Sequence, residues 1–342
     1  MTQNKLNLLH RGAFIPAHPL ALTNERKLDE RRQRALSRYY IAAGADGLAV
    51  GVHSTQFAIR KVGMYRTVLT LAAEVVRPET LLVAGALGPT DQARAEAEVA
   101  KELGYDAVLL SCGGLSEWTE RELIARAERV GEILPIFGFY LQPAAGGRLL
   151  SAAFWRDLAS HPRLCAIKMA PFNRYQTLDV IRGVCESGRA SEIALYTGND
   201  DNIVADLLTP FEIEAGGVMH KKRVVGGLLG HWAAWTKASV DVFHRAKAMA
   251  EGDALPAEAL TLAAQVTESN AAMFDAANGY KGCIPGVHEI LRRAGLLANL
   301  LTLDPDETLS PGQAEEIDRI ERAYPFLCDG EFTRAHLREW ME

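Results

Sequence analysis

Pro135-Ile136-Phe137-Gly138-Phe139-Tyr140-Leu141-Gln142-Pro143 and, one helical interval later, Leu164-Cys165-Ala166-Ile167-Lys168-Met169 decide how this chain reads. Both are short and almost wholly apolar, the pattern of strands buried on both faces in a parallel sheet. The first ends in a phenol and the second carries an amine. A buried lysine is costly to charge, because loss of water favours the neutral form, and a neutral amine is the nucleophile that attacks carbonyl groups. The alternative is structural: Lys168 reaching out of the strand end to pair with a carboxylate, as many perturbed lysines do. Tyr140 taken alone reads as a core aromatic with a hydrogen-bonded tip.

Working outward, similar runs recur at Ala13–Ala17, Gly47–Val52, Leu81–Ala86, Ala107–Ser111, Glu192–Thr197 and Val224–Leu229. Eight strands are expected once the two quoted stretches are added, as Pro135–Tyr140 and Leu164–Met169. The intervals carry helical stripes: Leu28, Leu36, Tyr40 and Ala43; Leu123, Ala127, Val130 and Ile133; Leu178, Ile181 and Val184. The charges Glu30, Arg31, Arg32 and Arg34 read as the solvated face of the first of these helices. Strands alternating with helices imply a parallel sheet. A doubly wound open sheet would alternate in the same way, but no GxGxxG turn follows the first strand and no GxxxxGK[ST] occurs. Eight repeats favour closure, so the expected class is α/β, a (β/α)8 TIM barrel. Past about residue 230 only helices are expected, at His231–Ala250, Ala257–Ala277, Pro285–Ala294 and Gly312–Tyr324. The expected division is a barrel over 1–250 and a C-terminal helical domain over 251–342.

The 342 residues are 48% hydrophobic and 23% charged, enough apolar content for a large core. A net charge of −6 offers no basic footprint for nucleic acid or an anionic membrane, so a small-molecule partner is favoured. Cys112, Cys165, Cys185, Cys283 and Cys328 are odd in number and form no CxxC pair, which points away from a disulfide framework or a zinc site. Met1–His10 lacks a long apolar segment, and no stretch reaches the ~18 apolar residues of a membrane span. A cytoplasmic location is the expectation.

Active sites of such barrels lie at the C-terminal ends of the strands, where Tyr140 and Lys168 fall. Their 28-residue separation, with Tyr-x-x-Pro at Tyr140–Pro143, resembles the dihydrodipicolinate synthase and N-acetylneuraminate lyase superfamily. Ala42-Ala-Gly-Ala-Asp-Gly-Leu-Ala-Val50 is similar to that family's approach to its second strand. Leu82–Ala86 resembles its third, Tyr196-Thr-Gly-Asn-Asp200 its seventh, and Lys281–Leu297 its late helix. The resemblance implies a Schiff base between Lys168 and pyruvate or a related 2-oxo acid, with Tyr140 moving protons. The protonated imine would then serve C–C cleavage, condensation or loss of water. It implies no metal or organic cofactor, room for an aldehyde as second substrate, and a homo-oligomer, tetramer or dimer.

The departures bear on specificity. Where the family carries Gly-Thr-Thr-Gly-Glu, this chain has Val52-His53-Ser54-Thr55-Gln56. Ser54, Thr55 and nearby backbone N–H groups still suit a substrate carboxylate. His53 either relays a proton to Tyr140 or is a strand-end histidine bonded to a loop. Gly198 and Asn199, beyond the seventh run, and His18, beyond the first, stand where a substrate's distal part would lie, although Asn199-Asp200 is also an ordinary turn and helix-start pair. The arginine that the family aims at an aldehyde substrate's carboxylate should fall within Ala144–Gly147, and Arg148 is about three residues out of register. No aromatic occupies Cys112–Gly114, where many members place a tyrosine for a neighbouring subunit. A partner other than aspartate semialdehyde is therefore expected. A non-catalytic barrel that retains the pocket to bind a 2-oxo acid or to regulate is the alternative. Keeping both Lys168 and Tyr140 favours the enzyme, since binding alone has no need of an imine-forming amine.

Overall fold

A computed structural model describes residues 1–342. Ten strands form: β1 Phe14–Pro16, β2 Gly47–Val50, β3 Leu81–Ala86, β4 Ala107–Leu110, β5 Ile136–Leu141, β6 Leu164–Ala170, β7 Ala194–Thr197, β8 Phe211–Ala215, β9 Val218–Lys222 and β10 Val224–Leu229. Eight of them make one parallel sheet in the order β1-β10-β7-β6-β5-β4-β3-β2. A parallel bridge between Ala17 and Ala49, just past β1 and in β2, joins the two ends of that order. The fold is the expected (β/α)8 barrel, and each of the eight expected runs supplies one of its strands. The remaining two, β8 and β9, form an antiparallel hairpin that the sequence reading did not anticipate. No helix is long and apolar enough to cross a membrane.

The chain divides into two compact units, Met1–Ala13 with Leu81–Leu228, and Phe14–Thr80 with Leu229–Glu342. In the first, β3 to β7 are each followed by a helix, and two of these show how a start is fixed locally. Thr119 and Glu122 form a reciprocal capping box at the head of Glu120–Gly131, and Asn173 accepts two backbone N–H bonds at the head of Arg174–Glu186. Leu123, Ala127 and Val130 are buried as their spacing requires. An unanticipated N-terminal helix, Gln3–Arg11, buries Leu9 in this unit. The Tyr196 hydroxyl donates to the Leu9 carbonyl (2.8 Å) and accepts from the Ala13 N–H (2.9 Å), while Lys5 pairs with Asp106 at 2.8 Å.

The second unit holds β1, β2 and the C-terminal helices. Leu36, Tyr40 and Ala43 on helix Glu30–Ala43 are buried, and Gly44 ends it with φ 104°, a left-handed conformation that suits glycine. Asp46 accepts the Phe14 N–H at 2.8 Å, which gives the Gly-x-Asp-Gly motif a structural task. The arginine run does more than face water. Arg31 donates to the Met341 carbonyl and Arg32 to the Gly295 carbonyl, at 2.6 and 2.7 Å, near the C-terminal ends of helices Gly330–Trp340 and Cys283–Arg293. Cations are favoured there by the helix dipole. Gly330–Trp340 itself was not foreseen.

Candidate active site

On neighbouring parallel strands, residues paired in register project to the same face, and alternate residues project to opposite faces. Lys168 on β6 pairs with Phe139 on β5 and with Tyr196 on β7. Its ammonium nitrogen lies 4.6 Å from the centre of the Phe139 ring. Its stem runs over Gly198, where an added Cβ would stand 2.4 Å from Lys168 Cε and 2.9 Å from Cγ. Gly198 is therefore required by the path of the lysine. Its N–H donates to the Met169 carbonyl at 2.7 Å, which holds the end of β7 against β6.

Lys168 is only 7% exposed. Burial pulls its pKa from 10.5 down to about 8, and the nearby Asp200 carboxylate resists that fall. Asp200 is buried too, in the turn after β7. A substantial neutral fraction at mild pH is the state a carbonyl nucleophile needs.

Tyr140 pairs with Met169 and so belongs to the face opposite Lys168. Gly138 shares that face, and a Cβ there would meet Leu158 of helix Ala152–Ala159. The Tyr140 ring packs at a tilt against Trp155 of the same helix with centroids 5.1 Å apart. Its hydroxyl meets the backbone carbonyl and N–H of Leu150 at 3.4 and 3.3 Å. Burial raises its pKa, partly offset by the Leu150 bond. The strands thus bring Phe139, and not Tyr140, onto the face of Lys168.

Asn199 is wholly buried, and its amide is engaged on both sides. Its oxygen accepts from Phe172 N–H at 3.1 Å, and its nitrogen donates to Asp206 at 2.9 Å and to Thr177 at 3.3 Å. Asp206 also accepts from Thr197 and Arg174, so this network ties the end of β7 to the helix Arg174–Glu186.

The Ala144–Gly147 segment is a tight return. Gly147 N–H donates to the Gln142 carbonyl at 3.0 Å, and a Cβ on Gly147 would lie 1.9 Å from the Leu141 carbonyl oxygen. Any side chain at 147 is excluded, so the space beside this glycine is filled by backbone; Gly146, by contrast, faces open space. Arg148 gives one terminal nitrogen to the carbonyls of Leu115 and Trp118, at 2.8 and 2.6 Å.

The remaining expected site residues lie in the second unit. His18 is fully buried between Pro19, Gln33 and Ser37, and burial holds it neutral with a pKa of about 4. Ser54 donates to the Ala17 carbonyl at 2.8 Å and Thr55 to the His18 carbonyl at 2.6 Å. Thr55 also accepts the Gly51 and Val52 N–H groups, so these hydroxyls lace the end of β2 to that of β1. His53 meets the edge of Phe57, with centroids 5.7 Å apart.

A parallel eight-stranded barrel with a buried lysine projecting from its sixth sequential strand defines the class. No family model matches the chain. It is 25% identical over 251 residues to the N-acetylneuraminate lyase of Citrobacter koseri, covering 72% of this chain and 76% of that one. It is 33% identical over 107 residues to the 4-hydroxy-tetrahydrodipicolinate synthase of Staphylococcus epidermidis, covering 31% and 35%. Among solved structures it resembles dihydrodipicolinate synthase from Oceanobacillus iheyensis, with a TM-score of 0.74 and 17% identity over 94% of this chain and 99% of that one. A prophage protein of the dihydrodipicolinic acid synthase family from E. coli K12, in complex with pyruvate, gives 0.72 and 18% over 92% and 98%. The resemblance to the dihydrodipicolinate synthase and N-acetylneuraminate lyase superfamily, read first from motifs, holds in sequence and in fold.

Proposed function

We propose that the protein is a Schiff-base-forming lyase of the aldolase or hydro-lyase type, acting on pyruvate or a related 2-oxo acid through Lys168. The observation that carries this is one buried amine with a lowered pKa, set on an inner strand beside a glycine that clears its path. The neutral nitrogen attacks the carbonyl carbon; uptake of a proton and departure of the carbonyl oxygen as water leave a protonated imine. That cation draws electrons from the adjacent carbon, which permits C–C cleavage, condensation or elimination. Tyr140 is the proton-transfer group that the resemblance implies, yet its hydroxyl is held at Leu150 on the other face. Asp200, whose charge Lys168 feels, is the proton-transfer group this unit favours.

Borohydride added with pyruvate should fix a reduced adduct on Lys168, located by intact mass and peptide mapping. Lys168→Arg should abolish it, because a guanidinium stays charged. An adduct mapped to Lys221 or Lys222, or none with any 2-oxo acid, overturns the reading and leaves a non-catalytic binding barrel. Aspartate semialdehyde should be a poor second substrate, since Arg148 is committed to loop carbonyls and the return at Gly147 admits no side chain.

A further inference from the structure

We infer that Phe139 is a positioning residue for the reacting nitrogen: its ring is the platform on which the cationic forms of Lys168 rest, first the ammonium and then the protonated imine. This rests on the reading of Lys168 as the imine-forming amine and adds a group that the Tyr-x-x-Pro motif does not name.

The geometry comes from strand register. Phe139 and Lys168 are directly paired, so they share the inner face. The nitrogen stands 4.6 Å from the ring centre, within the distance at which a ring's negative face attracts a cation. Phe139 is 4% exposed and Lys168 7%, so little water screens the contact. Gly198 closes the arrangement from the other side: with 2.4 Å between its absent Cβ and Lys168 Cε, the stem can lie flat across β7. In this unit the Asp200 carboxylate acts on the nitrogen electrostatically, and Tyr196 is paired with Lys168 in register, its hydroxyl already bonded to Leu9 and Ala13.

The ring answers a conflict in the site. Burial favours the neutral, nucleophilic amine, but the protonated imine that activates the substrate carries positive charge on the same nitrogen. A carboxylate alone would favour the charged form strongly and hold the free lysine protonated. An aromatic face offers a weaker, directional attraction that adds no charge to a buried space.

Ring-fluorinated phenylalanines placed at position 139 test this, because each added fluorine drains the ring's negative face at nearly constant volume. The readout is the pH profile of reductive methylation of Lys168 by formaldehyde and cyanoborohydride, followed by peptide mass, which needs no 2-oxo acid. Loss of the ring's attraction makes the ammonium less favourable, so the acid limb should move to lower pH with each fluorine, by about half to one and a half pH units in all. In parallel, the yield of the pyruvate adduct should fall along the series. A limb that stays put across the series overturns the inference, even if pyruvate is still trapped on Lys168. A limb that moves while no 2-oxo acid is trapped in any variant supports the platform and overturns the proposed function instead. Phe139→Leu gives the same sign with the ring gone, and Phe139→Tyr should restore the parent profile.

Discussion

Lys168 and its neighbours show how much depends on which of two adjacent aromatics faces the amine. Phe139 and Tyr140 are consecutive, and one step along a strand exchanges faces. The motif made Tyr140 visible, whereas register, which a single sequence does not carry, decides that Phe139 pairs with Lys168. If Asp200 moves the proton, Asp200→Asn should lower turnover of an identified substrate by about 10²–10⁴, the range for a positioned acid or base. Tyr140→Phe should cost less than about tenfold, through the loosened Leu150 contact alone. The reverse order of effects would return the role to Tyr140. Stability supplies a second residue-scale prediction. Lys168 has a folded pKa near 8 against 10.5 when free, so between these values the unfolded chain binds more protons and stability rises with pH. Below pH 8 the full cost of the buried lysine is present. The stability of Lys168→Met relative to the parent should therefore decline by roughly 3 kcal/mol as pH rises from 8 to 10.5, measured by urea unfolding. A pH-independent difference would mean that the ammonium is not desolvated.

Among the elements, the runs of the eight barrel strands were legible because strands buried on both faces leave continuous apolar stretches. The hairpin of β8 and β9 carries a weaker signal. Phe211-Glu-Ile-Glu-Ala215 alternates, and Gly216-Gly217 is the dipeptide of a two-residue turn, but a ribbon whose side chains are largely exposed leaves no continuous apolar run. Both glycines have positive φ, 60° and 81°, between the paired Ala215 and Val218. Gly217→Val should strain this turn by about 1–2 kcal/mol. Amide exchange should quicken across 211–222 while the thermal midpoint hardly moves; a large fall in the midpoint would mean that the ribbon supports the barrel. The helix Gly330–Trp340 escaped for a different reason. Much of its anchoring comes from distant partners, with Arg31 and Arg38 donating to Met341 and Trp340 carbonyls, and nothing within the segment announces them.

At the scale of the molecule, charge is distributed unevenly in its response to acid. His18, His231 and His288 are buried and neutral, each with a pKa pulled to about 4 by burial, and all three belong to the unit of 14–80 and 229–342. Between pH 6.5 and 4 the unfolded chain binds protons that the folded histidines refuse, so stability should drop steadily as pH falls through that window. Urea midpoints taken from pH 7 to 4 should fall, and exchange at 229–342 should lose protection before 81–228. A flat profile down to pH 5 would contradict the burial of these rings. The amine was readable from one apolar strand, whereas the network that seats Asn199 and the bonds that fix Ser54 and Thr55 were not, because a hydroxyl or amide reads alike in sequence whether it binds a substrate or a backbone.

The bond from Tyr196 to Leu9 also has a consequence in time. The two residues are 187 positions apart, and at a synthesis rate of about 5–20 residues per second the ribosome needs roughly ten to forty seconds to pass from one to the other. For that interval Gln3–Arg11 has emerged with its anchoring phenol not yet made. Stalled nascent chains should show these residues open to proteases until β7 has left the exit tunnel, and sealed soon afterwards.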